Sequence, residues 1–551
     1  VNYTPFEWLT NSATLGTDIT DQVFNDAIPY DPDIPFSFAA GGEYFRSRNL
    51  LRHITADLSS TATYNFSESL GAHTAIGAQY FLQSREEIAC EGRVFVNDQA
   101  TACDAGVSLR GFSDISEKAE IGAFLQQRVS YNDYFFVTGA MRVDDNSALG
   151  SEEPAIISPS FNTSLVVSDL PMWNVDPNLV NQLRLRAAWG TATQSPVQYA
   201  AERTYGIVRL ATNDGIVAGL SPEDPGNPNL GPERSSEIEV GFDASLLEDR
   251  VGLEFTYFDR VTRDAIVFRP IAPSTGFASS QWVNLGELTN VGFEASLNAL
   301  LVNRDNISWN AILTVASTKA TITDLGDQNG FGGFREGYAP GSLVSRVITA
   351  AERDENGNII PGSIQYAPGT LGDGSGRRVV GQVTPTNEES LLTTLTFFDN
   401  LQISALFDRA AGHLLESGTL DSHEPGSLDD VNSRFGRMWA YRQINSTPIE
   451  QAYMEQDYLV GNHNAIWYQE ADFIKFRELK LNYTLPRDLA GGFGSSNATV
   501  YVGARNLVTW TDYQGLDPEI NGRGARDEIF TEESGALAPP FMLFTGLRVT
   551  F

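Results

Sequence analysis

The sequence is poor in cysteine, histidine and positive charge, and no long uncharged apolar run interrupts it. Each shortage removes a class of protein. Against 70 acidic residues stand only 37 basic ones, so the formal charge of -33 would repel a phosphate backbone, and nucleic acid is excluded as a partner. No stretch approaches the roughly 18 apolar residues that a spanning helix needs, so a helical membrane protein is excluded too. The five histidines, His53, His73, His413, His423 and His463, lie in no Gly-x-Ser-x-Gly or His-Glu-x-x-His context. An enzyme is therefore not expected, and no catalytic residue, cofactor site or metal site is assigned.

What remains is a chain of 551 residues that is 42% hydrophobic and 11% aromatic, too apolar to be disordered. Its mean hydropathy of -0.20 suits either a soluble all-β protein or a transmembrane β-barrel, whose strands alternate between lipid and lumen. Strict period-two alternation is the dominant pattern. Ile54, Ala56, Leu58, Ser60, Ala62, Tyr64 and Phe66 share one face, against Thr55, Asp57, Ser59, Thr61, Thr63 and Asn65 on the other. The same split recurs from Ile238 to Leu246 and from Val291 to Ala299, with charge confined to one face.

Such runs predict about sixteen strands. They fall near 7–17, 49–66, 70–84, 115–131, 134–146, 157–168, 181–193, 235–247, 250–268, 286–302, 306–324, 388–399, 400–415, 473–485, 497–509 and 541–551. Connections alternate short and long. Ser67–Ser69, Asn132-Asp133, Leu247–Asp249, Asn303–Asp305 and Asp399-Asn400 have the composition of hairpin turns. Between them run long segments, among them 18–48, 85–114, 194–234, 325–387, 416–472 and 510–540. A soluble sandwich has no reason for that asymmetry, whereas outer-membrane barrels have tight periplasmic turns and long extracellular loops. Tyr64, Phe66, Tyr131, Trp309, Phe397, Tyr483 and Phe551 then fall near the periplasmic ends on the apolar face, where an aromatic girdle belongs. The expectation is an all-β fold, an antiparallel transmembrane β-barrel in the outer membrane, with the long loops outside and lipid around it.

Several segments carry a family resemblance. Phe473-Ile474-Lys475-Phe476-Arg477-Glu478-Leu479-Lys480-Leu481-Asn482-Tyr483-Thr484-Leu485-Pro486, then Val500–Tyr513, then Gly515-Leu516-Asp517-Pro518-Glu519 resemble the C-terminal region of SusC/RagA-type TonB-dependent transporters. Asn229-Leu230-Gly231-Pro232-Glu233-Arg234-Ser235-Ser236-Glu237 resembles the loop-to-strand entry of TonB-dependent receptors in general. The final strand looks like the signal that barrels present to their assembly machinery, with Gly546, Val549 and Phe551 as its marks, although Phe544 stands where a polar residue is common.

The resemblance implies a 22-stranded barrel occluded by an N-terminal plug. It implies import of oligosaccharides or peptides, energised through TonB and assisted by a SusD-like surface lipoprotein. Because no plug-like segment precedes Phe6, residues 1–551 are expected to be the C-terminal barrel portion, with the plug and first strands not present. A passive porin of about 16 strands is the alternative, and a structural or adhesive barrel a third reading.

Cys90 and Cys103 share one expected extracellular loop, where their spacing favours a loop-closing disulfide over two free thiols. Asp354–Asn358 and Gly372–Gly376 lack the alternating oxygen ligands and closing Glu of a calcium loop and are expected to be turns. Trp439, Tyr441, Trp467 and Tyr468 are candidates for stacking on a sugar ring, and Asp517 and Glu519 for bonding hydroxyls. The preferred reading is that these aromatics pack the loops and that the carboxylates belong to a solvated acidic surface, because loops of this size must pack on something.

Overall fold

The computed structural model describes residues 1–28, 30, 41–95, 102–212, 215–277, 280–326, 330, 334–371, 374–417, 447–453, 464–492, 494–520, 532–533 and 537–550. All sixteen expected strands are present. In chain order the long strands are β1 (Asn2–Phe6), β2 (Leu9–Ile28), β3 (Glu43–Ser67), β4 (Leu70–Arg93), β5 (Ser108–Tyr131), β6 (Phe135–Asn146), β7 (Ile156–Val166) and β8 (Val180–Gln194). They continue with β9 (Glu233–Leu246), β10 (Val251–Arg263), β11 (Glu287–Arg304), β12 (Ile307–Asp324), β13 (Asn387–Phe397), β14 (Leu401–Ala411), β15 (Phe473–Thr484), β16 (Asn497–Thr511) and β17 (Met542–Thr550). Of these seventeen the periodicity missed β1, a short strand that pairs with β2 through a turn at Glu7-Trp8, and in the connections it also missed the hairpin Tyr205–Thr212 with Gly215–Pro222.

Two compact units divide the chain. The first comprises 1–164, 188–236 and 262–285, and the second 165–187, 237–261 and 286–551. In the first, β1 to β6 pair in sequence, each antiparallel to the next. The register aligns Ala13, Leu58, Ala78, Ala123 and Val143 across the ladder, so one face is apolar from strand to strand. That face is not packed against protein. Leu15 is 82% exposed and Leu58 61%, a loss of hydrophobic burial that water would not tolerate over so wide a surface. Polar groups that fall on this face satisfy one another: Tyr64 Oη bonds Thr74 Oγ1, which donates to Gln127 Oε1 at 2.6 Å.

In the second unit β11, β12, β13, β14, β15, β16 and β17 pair in the same consecutive antiparallel way. Hairpin turns fall at the short links. Asn132 and Asp133 both take positive φ, as a two-residue turn matched to strand twist requires, and Phe398 and Asp399 do the same one residue earlier than the sequence indicated. Two expected strands are broken in the structure. The run 250–268 ends at Arg263, and Asp264 at φ 55° turns the chain into a separate hairpin, Ile266–Pro270 with Ser280–Asn284. The run 400–415 ends at Ala411, where Gly412 at φ 84° redirects it.

Buried apolar clusters lie in the long connections instead. Ile348, Ile359, Ala452 and Tyr453 pack together, and Tyr453 Oη accepts the Ile348 N–H at 2.7 Å. Leu415, Ala471 and Tyr513 form a second cluster. Strands that expose their apolar face, joined by loops that bury theirs, suit a chain whose middle meets lipid and whose ends meet water.

Candidate functional site

The charged face of the second unit is organised by a fault in β15. Simple alternation puts Phe473, Lys475 and Arg477 on the same side as Leu479, Leu481 and Tyr483, which would carry two cations onto the apolar face. A β-bulge removes the conflict. Register with β14 runs Leu406 to Glu478 and then Phe407 to Phe476, leaving Arg477 as the extra residue and reversing the facing of everything before it. Phe476 accordingly stacks on Phe407 with ring centroids 4.5 Å apart, while Lys475 and Arg477 turn to the charged side.

There they meet the second family segment. Lys475 Nζ donates to Asp517 Oδ1 at 2.6 Å and to Glu519 Oε2 at 2.9 Å. Arg477 grips Glu519 with both terminal nitrogens and reaches Asp408 through Nε at 2.8 Å. The Phe473 ring lies against both cations, 5.2 Å from Lys475 Nζ. Lys475 and Asp517 are both almost fully buried, so their pairing is obligatory. Burial alone would raise the Glu519 carboxyl, but the hydrogen bonds from Arg477 and Lys475 outweigh it and hold the group at about 2. Asp517 and Glu519, candidates from sequence for bonding hydroxyls or for a solvated acidic surface, are thus taken up by cations of the wall.

Beside this cluster lies a cavity of about 680 Å³, lined among others by Arg186, Glu254, Glu294, Asp408, Arg477 and Glu519. Arg186 is held by Asp243 at 3.2 Å and Thr256 at 2.7 Å. The wall offers carboxylates and guanidinium groups beside the hydroxyls of Thr256, Ser296 and Ser390. Among the described residues no His, Cys, Asp and Glu cluster could hold a metal ion. Asp354 spends its carboxylate on its own turn, accepting the Asn358 and Asn356 N–H groups, and the Asn358 bond lowers it below the usual range.

In the first unit the 229–232 stretch is anchored by neutral groups. Asn284 Oδ1 accepts the Gly231 N–H at 2.8 Å, and its Nδ2 donates to Gly231 O at 2.9 Å and to Asp264 O at 3.0 Å. Leu230 is fully buried, and its carbonyl accepts the Gly150 N–H at 2.8 Å.

The other residues singled out by sequence fall as follows. Cys90 and Cys103 are bonded, with Cα atoms 6.1 Å apart, which ties the end of β4 to a short turn. Trp467 is 5% exposed and packs on Ile466, so its ring is not offered to a ligand. Tyr468 opens a short strand paired with Leu414–Ser417. Trp439, Tyr441 and Phe551 lie outside the described residues. In β17, Gly546 pairs with Tyr501 and Val549 with Ala498. Phe544 has its own reason: its ring covers Gly503, as Tyr501 covers Gly546, and a Cβ on either glycine would collide with that ring. Sequence reading missed the roles of Lys475, Arg477 and Asp408. Two cations at the wrong parity inside an alternating strand were the signal.

The model of the family described as "TonB dependent receptor-like, beta-barrel" matches residues 2–349. "TonB-dependent receptor P3" of Formosa agariphila is 25% identical over 532 residues, 89% of this chain and 51% of its own length. "TonB-dependent receptor SusC" of Bacteroides thetaiotaomicron is 23% identical over 421 residues, 71% of this chain and 40% of its own. The chain thus spans about half the length, or less, of these relatives. Among solved structures, the RagAB peptide transporter superposes with a TM-score of 0.78 at 20% identity, over 100% of this chain and 61% of that one. Long antiparallel strands with an exposed apolar face, and the family model's match over well over half the sequence, make the chain a member of the TonB-dependent receptor-like β-barrel family, an outer-membrane family of receptors and transporters.

Proposed function

We propose that this chain forms the barrel wall of an outer-membrane transporter that imports oligosaccharides or peptides, with TonB supplying the energy and a SusD-like lipoprotein capturing cargo at the surface. The observation that carries the reading is the division of faces: apolar side chains open to lipid on one side, and on the other a charged wall with a cavity of about 680 Å³. In this reading residues 1–551 all belong to the barrel, and the long connections face outward. The apolar cores within those connections suit a rigid mouth on which a lipoprotein can sit. Gly546, Val549 and the terminal Phe551 serve as the assembly signal. Support for the class comes from the family match and from relatives named as TonB-dependent receptors.

Uptake of labelled oligosaccharide and peptide pools by cells with and without TonB tests the proposal. Uptake should fall to background when TonB is removed, and fall again in cells that keep TonB but lose the adjacent lipoprotein gene. Uptake indifferent to TonB would replace this reading with a passive porin, and no uptake of either pool would leave an adhesive or structural barrel.

A further inference from the structure

We propose that Gly515–Glu519 is a hinged strap, latched to the wall by charge, whose release joins two cavities of the second unit. The strap has unlike ends. At its near end Tyr513 is buried with Leu415 and Ala471, and the Gln514 N–H donates to Gln469 Oε1 at 3.0 Å, which fixes the hinge. At its tip the wall contacts are ionic, Asp517 to Lys475 and Glu519 to Lys475 and Arg477. Glu519 N–H donates to Asp517 Oδ1 at 2.9 Å, so the tip is folded on itself and can move as one piece. Among the described residues no strand ladder holds 515–519 to β15 or β16.

The strap stands between two spaces. Leu516, Asp517 and Pro518 line a cavity of about 290 Å³ together with Lys475, whereas Glu519 lines the larger cavity of about 680 Å³. Arg477 borders both. Lifting the tip uncovers the buried Pro518 and removes the partition, without breaking a sheet or the cluster of Leu415, Ala471 and Tyr513. A segment held by a few charged contacts next to a buried hinge is the kind that opens locally while its surroundings stay folded.

Labelling of the whole protein in outer-membrane vesicles with a water-soluble amine-acylating reagent, read peptide by peptide, tests this, because Lys475 is almost fully covered in the latched state. Glu519→Gln should speed acylation of Lys475 at least tenfold, with hydrogen exchange of the Phe473–Thr484 and Asn497–Thr511 amides unchanged. In the unaltered protein 1 M salt should speed Lys475 acylation about threefold, because the Glu519 side chain is partly exposed. This second arm needs no variant to fold. Lys475 labelling unmoved by both treatments, or strand amides exchanging faster along with it, would overturn the proposal and make the cluster fixed cement.

Discussion

Two family segments dock a loop onto strands in opposite ways. Asn229–Pro232 is held by two amide side chains, those of Asn227 and Asn284, and by a buried leucine, all neutral. Gly515–Glu519 is held by a lysine, an arginine and two carboxylates. A neutral clamp draws on area removed from water and on bonds to backbone groups, so it is indifferent to salt and to pH. An ionic clamp is strong only while every charge keeps its partner, and a missing partner turns the remainder into a penalty. The first suits a joint that stays shut, the second one that has to be released.

The largest expected effect is in the ionic clamp. Lys475→Met leaves the buried Asp517 without its cation and should cost about 3–5 kcal/mol in equilibrium unfolding from lipid vesicles. A loss below about 1 kcal/mol would mean that water reaches Asp517 readily and that the contrast is false. Leu230→Ala tests the other side and should cost about 2–5 kcal/mol, because a fully buried side chain leaves a cavity behind. Asn284→Ala should cost about 1–3 kcal/mol, equal at low and high salt, since it orphans the backbone of Gly231. Salt dependence in that variant would blur the distinction.

Acid gives the smallest and most selective effect. Glu519 has its carboxyl depressed from an ordinary 4.5 to about 2 in the folded protein, so its contribution is complete above pH 4.5 and is lost as pH falls from there through about 2. Because the side chain is well exposed, about 1 kcal/mol or less is expected after solvent screening. Equilibrium unfolding from lipid vesicles at pH 6 and pH 3 should show the cost of Glu519→Gln shrinking in acid while the cost of Asn284→Ala stays the same. An equal change in both would remove the difference.

How much of this could be read from the residues follows from what alternation encodes. Ile54 to Phe66 announced a strand because each second residue was apolar, and the same rule found its neighbours. It could not find β1, too short to show a period, and it could not see the bulge at Arg477, because one inserted residue changes facing without changing composition. By parity alone Lys475 and Arg477 fall on the apolar side, a conflict that only the register resolves. The break at Gly412 was hidden in the same way, since Ala410, His413 and Leu414 continue an acceptable pattern across a turn. Trp467 looked available because exposure is not written in residue type, and only the packing of the connections shows the ring covered. The clamp of Asn284 on Gly231 joins residues 53 apart, which no local spacing reveals.

The crossed pairing of Phe544 with Gly503 and Tyr501 with Gly546 bears on how the sheet is completed. A strand that slides by two residues keeps its faces, so alternation alone cannot reject the error. Bulk against bulk can. Sliding β17 along β16 by two positions in one direction sets Phe544 against Tyr501, and in the other it removes each ring from its glycine. The last two strands thus work like a toothed ratchet, in which only one alignment seats both teeth, and the end of the chain finds its place by shape.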